Sequence, residues 1–105
     1  MSGHPRFTQL TEEEVKLHDA KNADYAGGGD PLGNFNRVAN ILSNYPGLPL
    51  DNPTVIALIY TLKQFDAVLW MLAKGYEGKV EGIGPKLGDV SIYSKLAIIL
   101  HEEAK

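Results

Sequence analysis

Residues 53–74 read PTVIALIYTLKQFDAVLWMLAK, and this stretch decides the fold. Asn52 and Pro53 form an N-cap and first-turn proline, and Gly75 supplies the left-handed residue that closes a helix. The spacing predicts one helix over 53–74. Val55, Ile56, Leu58, Ile59, Leu62, Phe65, Val68, Leu69, Met71 and Leu72 make it apolar on nearly every side. Such a helix is the centre of a bundle or the seam of an oligomer. Lys63, Gln64 and Asp66 interrupt it at mid-length, which argues against a membrane span. At 100° per residue, Asp66 falls among Val55, Ile59, Leu62, Leu69 and Ala73. A carboxylate in an apolar arc needs a partner or a metal ion. Lys63, one turn earlier, is the local candidate.

The chain around this helix is short, at 105 residues, and reads as a single domain. It has no cysteine, so disulfides and thiolate metal sites are excluded. Its formal net charge of −3 argues against broad nucleic-acid binding or an anionic membrane surface. The first ten residues are polar and broken by Pro5, so no signal peptide is expected and the expected location is the cytoplasm.

C-terminal to the core helix, the glycine-rich residues 75–84 connect to a helix predicted over 85–102. Leu87, Val90, Ala97 and Ile98 form one apolar face there, and Ile92, Leu96, Ile99 and Leu100 cover much of the rest. Asp89 projects near Leu96 and Leu100, with Lys86 and Tyr93 within one turn. A Lys-x-x-Asp pattern thus occurs at 63–66 and again at 86–89.

On the N-terminal side, residues 1–9 read as a loose arm. Thr11 and Glu14 match a capping box, with Leu10 and Val15 as its hydrophobic staple, so a helix is expected over 12–24. Val15, His18, Asn22 and Tyr25 share one side of it, with Lys21 alongside. Asp30 and Pro31 mark the start of a helix over 31–43, with an apolar stripe of Leu32, Phe35, Val38, Ala39 and Leu42. Asn34 and Arg37 flank that stripe. Between these helices lie Gly27, Gly28 and Gly29. Glycines before a helix N-terminus let backbone N–H groups face an anion; taken alone they also fit a plain interhelical turn, but the polar residues around them favour the anion site.

Lys21 to Phe35 resembles a stretch of small phage-encoded proteins placed near the MazG-like, all-α nucleoside triphosphate pyrophosphohydrolases. Residues 87–93 resemble the last acidic helix of that group, and the likeness extends over 15–102. It implies a compact four-helix antiparallel bundle, oligomeric, that handles a nucleotide. In an enzyme of this kind Asp66 and Asp89 would hold Mg²⁺ at the triphosphate, with Lys63 beside them. Lys21, Arg37 and Lys86 would neutralise phosphate, and Gly27, Gly28 and Gly29 would cradle it. Tyr25 would stack on the base, Asn22 or Asn34 would read its edge, and Tyr93 would join the site. Asp24 or Asp30 would add a third carboxylate. The chain departs from the hydrolases in one respect: Lys63 and Lys86 stand where the first acid of each pair belongs. Binding survives that departure better than hydrolysis. A silent nucleotide-sequestering protein and a protein-binding phage accessory factor stay open beside the enzyme.

Overall fold

A computed structural model describes residues 3–27 and 29–104, excluding the side chains of Asp24 and Tyr25. Four helices follow one another: α1 (Pro5–Ala26), α2 (Gly33–Leu42), α3 (Pro53–Lys74) and α4 (Ile83–Glu103). Among the described residues there is no strand. The four helices form one all-α bundle, as expected.

Helix α3 has the expected bounds because both of its stops are local. The Asn52 Oδ1 accepts from the Thr54 N–H at 2.8 Å, Pro53 opens the first turn, and Gly75 closes the helix at φ 72°. It packs along α4, and both α1 and α2 lie against it. Tyr60 meets Tyr93, and Gln64 meets Asp89. Four residues forward on α3 are four residues back on α4, so the pair is antiparallel. By length and composition alone α3 could cross a membrane, a property it shares with core helices of bundles. Its buried Gln64 and Asp66 are bonded to neighbouring helices.

From Pro5 onward the expected loose arm is helical: α1 begins there, with His4 Nδ1 accepting from the Arg6 N–H at 3.0 Å. Thr11 does not cap. Its hydroxyl donates to the Phe7 carbonyl at 3.0 Å, the backward bond of a residue inside a helix. At the head of α2, the Asp30 Oδ1 accepts from the Leu32 N–H and the Asp30 carbonyl from the Gly33 N–H. That closes a turn first and delays the helix to Gly33. Helix α4 starts at Ile83, where the Glu77 carboxylate accepts the Ile83 N–H at 3.1 Å.

Among the described residues, five apolar ones, Val55, Ala67, Val68, Met71 and Ala97, are deeply buried. The bundle is drawn out to 55 × 39 × 25 Å, with a radius of gyration of 16.9 Å. A compact domain of this length would have about 13 Å.

Candidate functional site

Asp66 is 7% exposed and is held from α2. Arg37 Nε donates to Oδ1 at 2.7 Å and Arg37 Nη2 to Oδ2 at 2.8 Å. Asn34 Nδ2 adds a bond to Oδ2 at 2.8 Å. The bidentate fork is the strongest geometry available to a carboxylate and an arginine. The hydrogen bond to Asp66 holds the guanidinium above the ordinary arginine range, against partial burial. The Arg37 Cζ also lies 4.0 Å from the centre of the Trp70 ring, and Lys74 Nζ lies 4.7 Å from it. Gly33 makes room for this: a Cβ there would stand 2.8 Å from Arg37 Nη1. The buried carboxylate expected from the sequence is therefore real, but its fork-like partner is Arg37 rather than Lys63.

Asp89 is engaged elsewhere. Its Oδ2 accepts from Gln64 Nε2 at 2.9 Å. Gln64 and Asp66 are two residues apart on α3, and residues so spaced point away from each other. The carboxylates of Asp66 and Asp89 thus work on different sides of α3 and do not meet as the expected metal pair. Both oxygens of Asp66 already accept hydrogen bonds, so a Mg²⁺ there would have to displace a bidentate arginine. Among the described residues no group of three or more His, Asp or Glu could hold a metal ion. A shared magnesium site does not fit this arrangement. Lys86 is fully buried, with its ammonium 3.9 Å from the Glu81 carboxylate, and lines no part of the groove described next.

That groove lies where α1, α2 and α3 come together. His18, Lys21 and Asn22 contribute from α1, Pro31, Asn34 and Phe35 from the start of α2, and Lys63 from α3, around a cavity of about 200 Å³. Among the described residues, two lysines line it and no carboxylate does. Among the described residues, the Asn22 Oδ1 is buried there without a hydrogen-bond partner. Asn34, Phe35 and Lys63 also wall an apolar recess of about 200 Å³ with Val38, Ile59 and Tyr60. Tyr60 and Lys63 continue into a third recess of about 360 Å³ with Gln64 and Tyr93. The shared walls make one run: basic at α1, apolar in the middle, aromatic at α4. Tyr60 and Tyr93 stand edge to face with ring centres 5.6 Å apart. Gln64 directs its NH₂ to Asp89, and its Oε1 is buried without a partner.

The glycine loop has a structural task. Gly27 takes φ 61° as the left-handed end of α1, and the Tyr76 ring lies 3.0 Å from where its Cβ would be. The Gly27 N–H donates to the Ala23 carbonyl and the Gly29 N–H to the Ala26 carbonyl. Both amides close the helix, so neither is available as a phosphate cradle. The expected roles of Gly28, Asp24 and Tyr25 lie outside the described residues. Asp30 is occupied by its turn.

Of the residues proposed from sequence, Lys21, Asn22, Asn34 and Lys63 meet in the basic part of the groove, and Tyr93 lines its far end. Arg37 sits in the clamp instead. His18 reads from sequence as an ordinary, partly exposed helix histidine, and Gln64 and Tyr60 carry no sequence signal of a site. One signal was available: Asp66, Trp70 and Lys74 follow at steps of four, a ladder on one helix face. No protein-family model, no curated protein and no solved structure matches the chain.

Proposed function

We propose that the chain binds a small phosphorylated ring compound of nucleotide type, in the manner of the phage proteins it resembles. The observation that carries this is the groove itself: lysines and amides at one end, an apolar middle, and two tyrosines with an unpartnered acceptor at the other. Lys21 and Lys63 offset phosphate charge as point charges, and His18 and Asn22 supply further polar contacts. Phe35 and Tyr60 offer flat surfaces to a ring. Gln64 Oε1 accepts a ring N–H or amino group. Binding in the apolar part removes ring surface from water, and the few polar groups set orientation.

Sequestration is favoured over hydrolysis. Asp66, the carboxylate bonded to the groove residue Asn34, is already engaged by that residue and by Arg37. Calorimetric titration with nucleoside mono- and triphosphates, with and without Mg²⁺, tests the reading, with pyrophosphate release followed in parallel. Saturable binding without turnover supports a sequestering protein. Turnover that requires Mg²⁺ replaces it with the hydrolase. No binding of any phosphorylated ring compound overturns the proposal.

A further inference from the structure

We propose that α3 carries a self-association seam, formed by Leu58, Leu62, Phe65, Leu69 and Leu72, and that its occupant is the same seam of a second copy of this chain. These residues follow at steps of four, three, four and three, the spacing of helices that pack knobs into holes. At 100° per residue they fall within an arc of about 80°. Met71, Ala67 and Val68, which are buried, lie on a different face. From Leu58 onward, every residue in the seam arc is apolar. Yet Leu58 is 46% exposed, Phe65 43%, and Leu69 and Leu72 each 62%. Leu62 between them is half-buried, so among the described residues the stripe is only partly covered.

The surface of the whole chain points the same way. It exposes 7553 Å². A folded monomer of 11.5 kDa should expose about 5,800 Å², so the excess is roughly 1,700 Å². A standard interface removes about 800 Å² per partner, and a permanent one about 1,000–2,500 Å². The excess is what one permanent interface would cover. A core of five deeply buried apolar residues also needs cover from the moment of folding, which favours a partner always present in equal amount.

Symmetry selects a second copy. Counted from Phe65, the seam lies at −7, −3, 0, +4 and +7. Reversed, it lies at −7, −4, 0, +3 and +7. The stripe is nearly its own complement when one helix is turned end for end. A twofold axis beside Phe65 sets Phe65 against Phe65 of the partner subunit and brings Leu58 of each chain near the far end of the other seam. This proposal is independent of what the groove binds.

Sedimentation equilibrium of the full chain at low micromolar concentration tests it. The expected mass is about twice 11.5 kDa. Phe65→Glu should raise the dissociation constant by about thirtyfold or more, the effect of a central anchor. Mixing Phe65→Glu with Phe65→Lys should restore association. Because the chain has no cysteine, Phe65→Cys gives a second readout that does not depend on a destabilised fold. Mild oxidation should link two copies through position 65, whereas Ser43→Cys should not link. A mass of 11.5 kDa that persists at high concentration overturns the proposal. So does a dimer unaffected by Phe65→Glu whose Phe65→Cys form resists linking, because that dimer would use another face.

Discussion

The guanidinium of Arg37, on α2, meets both carboxylate oxygens of Asp66, on α3, at 2.7 and 2.8 Å. This fork ties the short second helix to the core helix, and Asn34 reinforces it from one turn earlier. Removing Arg37 leaves a buried carboxylate, and removing Asp66 leaves a partly buried guanidinium. Arg37→Ala should therefore destabilise the fold by about 3 kcal/mol, and Asp66→Ala by a similar amount. Urea unfolding followed by far-ultraviolet circular dichroism measures both. In the double variant the two losses should fall well short of adding, because each removes the same interaction. Full additivity would mean that the fork contributes nothing as a pair.

The sign of the pH response follows from the same contact. Asp66 raises the Arg37 value above the ordinary arginine range. A group raised on folding contributes stability that is present below its unfolded value and is lost only as pH climbs through the folded one. The stability difference between the wild type and Arg37→Met should thus hold constant from neutral pH to about pH 10, still below the arginine range. A difference that shrinks steadily over this span would point to a different cation on Asp66.

Two glycines should respond in opposite directions. At Gly33 a Cβ would stand 2.8 Å from an Arg37 nitrogen, and that nitrogen belongs to a side chain fixed by Asp66 and Trp70. Gly33→Ala should cost about 1–2 kcal/mol, through strain in the fork. Gly88 lies within α4, and a Cβ there meets nothing within 4 Å. Gly88→Ala should stabilise by about 0.5–1 kcal/mol, because alanine loses less freedom in a helix. Equal responses at the two sites would remove the special role assigned to Gly33.

In the groove, Lys21→Ala should weaken the binding of a nucleoside triphosphate about tenfold, with a smaller effect at high salt. Gln64→Leu should weaken rings that carry an amino group more than rings that carry only carbonyls, because it removes the acceptor. Calorimetry with paired ligands separates the two effects. If Lys21→Ala leaves affinity untouched at low salt, the phosphate lies elsewhere.

What the sequence made legible was whatever is local along the chain. Asn52, Pro53 and Gly75 act within a turn of the helix they bound, and α3 could be delimited to the residue. The start of α1 was misplaced because Thr11 and Glu14 imitate a capping box, while the cap in use is His4 ahead of Pro5. Asp66 was recognisable as a buried carboxylate, since an acid in an apolar arc stands out. Its partner was not, because Arg37 is 29 residues away and Lys63 is only three. For the same reason Lys21 and Asn22 could be placed in one site, but the turn of the Gln64 amide toward Asp89 could not. That orientation depends on α4, which no local spacing reveals.

Trp70 is the only tryptophan in the chain, and both Arg37 and Lys74 lie over its ring. An excited indole responds to charge near its ring, so emission excited beyond the absorption of the tyrosines comes from the place where α2 is fastened to α3. Arg37 stands one turn from Asn34, which also lines the groove. A ligand that pulls on Asn34 would shift the cation above the indole and alter both the colour and the yield of that light. The molecule therefore contains its own optical gauge, and its encounters can be timed by stopped flow without a dye.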